Sequence, residues 1–399
     1  MELHILQNIC IMFAVAIGVV VICNTFKIPF LIGYLLTGVV LSPNNSPLLG
    51  EAHEVEMYAE IGVVLLLFSV GLEFSFSNLK KLKKYVLLGG LFQMAFTIAI
   101  TAILLGLMSM SMEESIFWGF VTSLSSTAIV IKVLQDKMML GKEHGRIILS
   151  YLLFQDIALV PLMLFTPILA GAGGDPLTEV GMLIVKLLVM VGLALVLAKW
   201  TIPWFLRKIM TLQSQEVFLI ATILIVTGIA LLTSYLGLSL SLGAFLAGLI
   251  IAETDYNKIA ISCFVPFRYV FICFFFISMG MLLDYHIFIT DWPAILFWLV
   301  FILLVKVVAG LLASLALKVS WKTSLIIGLS IAQIGEFSFV LSKTGQELGL
   351  ITQSSYHIFL AVAILTMALA PILVSNAEPL QRYLHKIFHF KKTKIIKML

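Results

Sequence analysis

The sequence is poor in charge. Charged residues make up 12% of the 399 residues and hydrophobic residues 61%, whereas a soluble domain carries roughly twice that charged fraction. This shortage excludes an ordinary soluble protein. Apolar runs of about 20 residues, each long enough to cross the hydrocarbon core of a bilayer, recur along the chain, and the short alternating strands of an outer-membrane barrel are missing. The sequence therefore predicts an all-α integral membrane protein.

Cysteine and histidine are few, and their positions do not suit a disulfide framework, a metal cluster or a catalytic pair inside the membrane. The four cysteines (Cys10, Cys23, Cys263 and Cys273) fall within apolar runs, as small buried side chains do, and predict no disulfide framework. The histidines lie at the ends of apolar runs, in loops or in the C-terminal tail. No metal cluster and no Ser-His pair is predicted at membrane depth. A membrane-embedded enzyme is therefore the least favoured function class, and no cofactor is expected.

The apolar runs predict thirteen spans joined by short loops. Their approximate limits are 4–26, 28–42, 57–76, 85–110, 115–134, 146–171, 178–205, 215–235, 238–252, 262–283, 291–317, 321–342 and 355–376. Lysine and arginine occur in every second loop, and the loops between carry almost none. Because cytoplasmic loops hold the excess of basic residues, this alternation predicts an N-terminus outside, a C-terminus inside and an odd number of spans.

Two short motifs recur in the same order. GYLLTGVVLS (33–42) resembles GAFLAGLIIA (243–252), 210 residues later, and SVGLEF (69–74) resembles SMGMLLD (278–284), 209 residues later. The partners lie seven spans apart, an odd number, so they run in opposite directions across the membrane. Such an inverted repeat is typical of secondary transporters. The alternative is that glycine motifs recur because they let helices pack closely.

The repeat predicts how the chain is organised. Residues 1–376 form a transmembrane domain, with about 4–171 as the first half, about 178–205 as a linker helix and about 215–376 as the second half. Residues 377–399 form a basic cytoplasmic tail. Its lysines and arginines, interspersed with Leu, Ile and Phe, suit an anionic membrane surface. The alternative is that they are the positive-inside signal of the last span.

Three charged residues lie deep inside predicted spans, namely Asp156, Lys306 and Glu336. An ionised group at the bilayer centre costs about 2.5–3.5 kcal/mol even on the insertion scale, and such groups handle ions or pair with one another. Asp156 is the main candidate, because a carboxylate can bind a hard monovalent cation or take up a proton. Its neighbour Gln155 adds a neutral oxygen. The alternative is that Asp156 pairs with a lysine and holds helices together.

Two spans contain signs of interruption. TSLSSTAIVI (122–131) is rich in Ser and Thr, and SIAQIGEFSF (330–339) places Gly335 beside Glu336. Ser125 and Gly335 are 210 residues apart, which gives them equivalent positions in the two halves. Paired interrupted helices are the best sequence indication of a transport site. The inner ends of the half-helices carry partial charges, and Lys306 and Glu336 are suited to offset them.

The predicted site draws on both interruptions. The ion- and proton-binding residues are Asp156, Gln155, Ser125, Ser126 and Thr127, and Gln333 and Gly335 mark the second break. A monovalent cation is expected at Asp156. For the three hydroxyl residues, ordinary hydrogen bonding between helices remains an equally good interpretation.

Five motifs carry a family resemblance. FQDIALVP, SLSSTAIVI, AQIGEFSFVL, GAFLAGLIIAE and FFISMGMLLD together resemble the membrane domain of the monovalent cation:proton antiporter-2 family, in particular its Kef-type potassium/proton members. The resemblance implies a homodimeric, thirteen-helix antiporter of the bacterial inner membrane with crossed broken helices. A core of spans 4–6 and 11–13 would slide, in an elevator-like movement, against a dimerisation domain of spans 1–3 and 8–10. It also implies that Asp156 binds the ion and that Lys306 is the core lysine.

The chain departs from family patterns in two ways. Electrogenic sodium/proton relatives have two adjacent acids where this chain has Gln155 and Asp156, which favours electroneutral exchange and K⁺ over Na⁺. Kef-type proteins usually continue into a cytosolic nucleotide-binding domain, so regulation would come from a separate cytosolic subunit or be absent. The alternatives are a Na⁺/H⁺ antiporter of the same fold and a gated monovalent cation channel, for which no filter-like TVGYG run is present. No nucleic-acid partner is expected.

Overall fold

A computed structural model describes residues 2–26, 28–42, 62, 64–65, 67–69, 71–72, 84–171, 192, 196–235, 240–281, 283 and 286–396. All regular structure in these residues is helical, which confirms the all-α part of the prediction. The helices are α1 (Glu2–Thr25), α2 (Phe30–Leu41), α3 (Gly90–Leu107), α4 (Met112–Ser123), α5 (Thr127–Asp136), α6 (Glu143–Leu169), α7 (Ile202–Met210), α8 (Gln215–Tyr235), α9 (Leu240–Ala252), α10 (Asn257–Met281), α11 (Ile287–Thr290), α12 (Trp292–Ala316), α13 (Trp321–Ser330), α14 (Glu336–Glu347) and α15 (Gln353–Ile396). Short π-helical turns precede α3 and α7.

Among the described residues, seven helices are long and apolar enough to span a membrane, or eight if the bent pair Asn257–Phe264 and Tyr269–Met281 counts as one span. Much of the predicted third span (57–76) and the first part of the seventh (178–191) lie outside the described residues. The last helix does not end where the apolar run does. It continues from Gln353 through Pro371 and Pro379 to Ile396, so residue 376 is not a helix end.

Contacts divide the chain into two compact units. The first unit comprises Met1–Cys23, Gly33–Lys80 and Met163–Asp284. The second comprises Asn24–Ile32, Lys81–Leu162 and Tyr285–Leu399. Apart from the short segment 24–32, the second unit contains spans 4, 5 and 11–13 and the part of span 6 up to Leu162. The family resemblance assigns spans 4–6 and 11–13 to the core.

Glycines of the repeated motifs meet in the first unit. A Cβ placed on Gly38 of α2 would lie 2.7 Å from the Cα of Gly280 in α10. A Cβ on Gly248 of α9 would lie 2.9 Å from the Cα of Gly71. Under the repeat, Gly38 corresponds to Gly248 and Gly71 to Gly280, so each contact is the counterpart of the other. This reciprocity is what an inverted repeat produces, and it supports that interpretation over unrelated close packing.

The second unit packs its two halves into one core. Buried side chains of α5, α6, α12 and α13 form a continuous cluster that includes Leu134, Ile148, Tyr151, Ala313 and Ile327. The Tyr151 hydroxyl is also 3.1 Å from the Ser314 hydroxyl of α12. Lipid tails are as apolar as these side chains, so close packing and hydrogen bonds hold such helices together. The cluster anchors the helices that carry the interrupted segments.

Candidate functional site

The first interruption lies between α4 and α5. The first of these helices ends at Ser123 and the second begins at Thr127. Ser126 caps the second helix, since its hydroxyl accepts a hydrogen bond from the Ile129 N–H at 3.4 Å. Serine and threonine hydroxyls bond nearby backbone groups and so favour helix starts over helix interiors. The hydroxyl-rich sequence therefore explains why the span breaks here.

The second interruption lies between α13 and α14, and the two breaks cross. The Ser125 hydroxyl donates a hydrogen bond of 2.8 Å to the Ile331 carbonyl. The Ser338 hydroxyl donates another, of 2.7 Å, to the Val121 carbonyl. A Cβ on Gly335 would lie 2.6 Å from the carbonyl carbon of Ser125. The two residues that the repeat makes equivalent are thus the ones that meet.

We expect Gly335→Ala to destabilise the protein by about 1–3 kcal/mol, the usual cost of overpacking a well-packed interior. The added methyl group meets backbone at 2.6 Å, and backbone cannot rotate away as a side chain can. The measurement is thermal unfolding of the purified protein together with cation-dependent proton flux. Gly106→Ala is the control, because nothing lies within 4 Å of its added Cβ. An unchanged melting temperature for Gly335→Ala would show that the crossing is looser than described.

Asp156 lies beside the first break. It is buried within α6, with 8% of its surface exposed. The Thr127 hydroxyl is 3.1 Å from both carboxylate oxygens and donates to them. Thr127 is the first residue of α5, and the amino end of a helix carries partial positive charge. The structure therefore brings two predicted site residues together, with the acid near a helix end that favours negative charge.

Gln155 is engaged in a hydrogen-bond chain. Its amide oxygen accepts from the Ser125 N–H at 2.8 Å, and its amide nitrogen donates to the Gln93 amide oxygen at 2.6 Å. Gln93 in turn donates to Thr97 at 3.1 Å. The amide of Gln155 therefore holds the backbone of the first break. Its oxygen has a second lone pair, and its part in ion binding stays a prediction.

Gln93 was missed by the sequence analysis. It is fully buried in α3, as are Thr97 and Thr101, and the three are spaced four residues apart on one helix face. A polar stripe inside an apolar helix was the available signal. The Thr101 hydroxyl is 3.4 Å from that of Thr122, so the stripe faces the end of α4.

Lys306 binds the carboxyl end of the first half-helix. Its side chain is completely buried, and its ammonium donates hydrogen bonds of 2.7 Å to the carbonyls of Thr122 and Leu124. These carbonyls lie where α4 ends, and a helix C-terminus carries partial negative charge that a cation stabilises. Both hydrogen bonds go to carbonyl oxygens of the first break, which is the charge compensation predicted for Lys306.

The remaining predicted residues occupy the second break. Glu336 is the first residue of α14 and Gly335 precedes it in an extended conformation. Glu336 is buried, with 9% exposed, and Gln333 is completely buried. A carboxylate at a helix N-terminus faces the positive end of the dipole. The two charged residues thus occupy opposite ends of half-helices, Lys306 a carboxyl end and Glu336 an amino end.

The arrangement suits reversible binding of a small cation. It combines one acid, a donor hydroxyl and helix ends whose backbone groups are free of intrahelical bonds. A carboxylate of this kind accepts either a proton or a cation.

Proteins similar in sequence to this chain are named as cation antiporters, in agreement with a site that suits a small cation. The chain is 33% identical to K(+) efflux antiporter 6 of Arabidopsis thaliana over 86% of this chain and 58% of the relative. It is 30% identical to the putative cation/proton antiporter YbaL of Escherichia coli (strain K12) over 92% of this chain and 66% of the relative. The chain thus spans somewhat under two thirds of the length of these curated relatives.

A solved structure shares the fold. The sodium proton antiporter MjNhaP1 from Methanocaldococcus jannaschii superimposes with a TM-score of 0.63 over 95% of this chain and 98% of that chain, at 19% identity. Residues 11–376 match the family described as sodium/hydrogen exchanger, transmembrane. The Kef-type resemblance is confirmed by the K(+) efflux antiporters among the relatives. The chain therefore belongs to the transmembrane sodium/hydrogen exchanger family.

Proposed function

We propose that this protein is a secondary active antiporter that exchanges K⁺ for H⁺, with Asp156 binding the two ions in turn. The observation that carries the proposal is the place of Asp156, a buried acid hydrogen-bonded to the first residue of a half-helix at the crossing of two interrupted spans. K⁺ is favoured because the relatives named as K(+) efflux antiporters match most of this chain. A Na⁺/H⁺ antiporter of the same fold is the second candidate.

Competition at one carboxylate accounts for coupling. Asp156 binds a proton or a cation but not both, so each ion must leave before the other binds. The neighbouring amide of Gln155 stays neutral and is occupied by Ser125 and Gln93. One positive charge therefore crosses in each direction per cycle, and the exchange is electroneutral.

The finer architecture is part of the proposal. Thirteen helices would run from an outside N-terminus to an inside C-terminus, with halves of about 4–171 and 215–376, a linker of about 178–205 and a basic cytoplasmic end at 377–399. The reciprocal contacts of Gly38 with Gly280 and of Gly71 with Gly248 support the inverted repeat. Movement would be elevator-like, in a homodimer of the bacterial inner membrane, with a separate cytosolic subunit for any regulation.

Proteoliposomes containing a pH-sensitive dye test the proposal. We expect K⁺ to drive proton movement, with Rb⁺ next and Na⁺ and Li⁺ weaker, and we expect an imposed membrane potential to leave the rate unchanged. A potential-driven rate would contradict the electroneutral assignment, and a preference for Na⁺ would favour the second candidate. K⁺ flux without any proton movement would instead indicate the gated channel.

A further inference from the structure

Two side chains in the second break have polar atoms without a hydrogen-bond partner among the described residues. Both Ser330 and Gln333 are completely buried. The Ser330 hydroxyl and both the oxygen and the nitrogen of the Gln333 amide lack a partner there. A buried polar group left unsatisfied costs its full desolvation penalty, and in native proteins nearly all such groups bond to protein or to ordered water. Three such atoms within four residues call for a physical explanation.

These atoms adjoin the crossing. Ser330 is the last residue of α13, and Gln333 lies in the unwound backbone before α14. Between them is Ile331, whose carbonyl accepts the hydrogen bond of the Ser125 hydroxyl. The Ser125 N–H in turn bonds to Gln155, the neighbour of Asp156. The unsatisfied groups are therefore one and two residues from a contact that is linked to the proposed ion site.

The chemistry of the three atoms selects the ligand. A carboxamide presents two N–H donors and an acceptor oxygen, and a hydroxyl both donates and accepts. A metal cation would satisfy only the oxygens and would be repelled by the amide N–H groups. An anion would satisfy only the donors. Water does both, and buried water in proteins bonds to such otherwise unsatisfied polar groups.

We propose that the second break binds at least one water molecule, held by the amide of Gln333 and the hydroxyl of Ser330. Ser330 and Gln333 lie on either side of Ile331, whose carbonyl accepts a hydrogen bond from the Ser125 hydroxyl. A water held by both side chains therefore stabilises the backbone of the crossing. It also keeps a polar, exchangeable molecule close to the site where ions exchange. This second role rests on the proposed antiport function, whereas binding of the water does not.

A double-mutant cycle on thermal unfolding of the purified full chain tests the water site. The variants are Gln333→Met, which keeps the length of the side chain and removes its polar atoms, Ser330→Ala, and the two combined. We expect each single change to lower the melting temperature by several degrees. We also expect the combined loss to be smaller than the sum, because both residues hold the same water. Gln135→Met, at an exposed glutamine of α5, is the control and should leave the melting temperature unchanged.

The opposite sign would overturn the proposal. If the atoms are truly unsatisfied, removing them relieves a desolvation penalty, and Gln333→Met raises the melting temperature. Additive losses would also contradict a shared water. A cryo-electron microscopy map that resolves solvent gives the direct answer. Density within hydrogen-bond distance of Gln333 and Ser330 in both K⁺-free and Rb⁺ buffers supports water, whereas density only with Rb⁺ identifies a cation and overturns it.

Measurements of proton exchange distinguish a failure of the water site from a failure of the proposed antiport function. We expect Gln333→Met to slow cation-dependent proton exchange several-fold while leaving the K⁺ concentration for half-maximal rate unchanged. An unchanged exchange rate would overturn the role in transport. If the wild-type protein shows no exchange, the antiport proposal fails, yet the unfolding cycle and the solvent map still decide whether the water is bound.

Discussion

Asp156→Asn reduces cation-dependent proton exchange to the level of protein-free liposomes. Asparagine keeps the size of the side chain and an oxygen that accepts from the Thr127 hydroxyl, now 3.1 Å from the carboxylate oxygens. It carries no charge to hold a dehydrated cation, and it takes up no proton at neutral pH. Both halves of the exchange are therefore lost together, whichever monovalent cation is offered.

Folding should survive this change. A buried ionised carboxylate is costly to desolvate, so its neutral counterpart is expected to leave the melting temperature unchanged or higher. Asp136→Asn is the matched control, because Asp136 is well exposed and pairs with Lys132 at 2.9 Å near the end of α5. It should retain wild-type exchange. Substantial residual exchange by Asp156→Asn in well-folded protein would show that another group binds the ions.

Lys306→Met is expected to lower the free energy of unfolding by about 2–6 kcal/mol, since two buried acceptors each lose a partner at about 1–3 kcal/mol. The acceptors are the carbonyls of Thr122 and Leu124. They lie at the carboxyl end of α4, whose partial negative charge would then be uncompensated inside the membrane. Because Leu124 directly precedes Ser125, the first break should shift and exchange should fall at least tenfold.

The loss of stability expected for Lys306→Met depends on the burial of Lys306, so an exposed lysine is a suitable control. Lys132→Met removes a lysine from an exposed pair with Asp136, and exposed pairs contribute about 0–1 kcal/mol. Chemical denaturation and proton flux should therefore change little in that variant. If Lys306→Met is as stable as Lys132→Met, the two short hydrogen bonds do not stabilise the half-helix, and the proposed role of Lys306 fails.

Much of the candidate site was predictable because charged and helix-interrupting residues stand out in the apolar spans of a membrane protein. A charge inside an apolar run is conspicuous, and so Asp156, Lys306 and Glu336 were identified from their positions in the predicted spans. The internal repeat then predicted that Ser125 and Gly335 occupy equivalent positions, and they meet in the structure. Gln93 escaped notice because a single neutral amide is a weaker signal, and because its partner Gln155 is 62 residues away in the chain.

The last helix extends beyond the apolar run predicted at about 355–376. Apolar length measures how much of a helix lies in lipid, not where the hydrogen-bonded helix stops. Residues beyond 376 mix basic and apolar side chains, and α15 continues through them to Ile396. Pro371 and Pro379 lie inside this helix, and membrane helices tolerate proline where neighbouring groups satisfy the freed backbone groups.

By itself, the sequence determined the membrane setting, the helical fold, the places of the deep charges and the two interruptions, because low dielectric surroundings constrain composition residue by residue. Tertiary structure alone decided which groups meet. It placed the ammonium of Lys306 on the carbonyls of Thr122 and Leu124, and it placed the amide oxygen of Gln155 on the Ser125 N–H. Such choices depend on distances of about 3 Å between residues as far apart as Ser125 and Ile331, 206 positions along the chain. The spacing of two residues in the sequence does not tell which of their atoms come within hydrogen-bond distance, because that depends on how the helices pack.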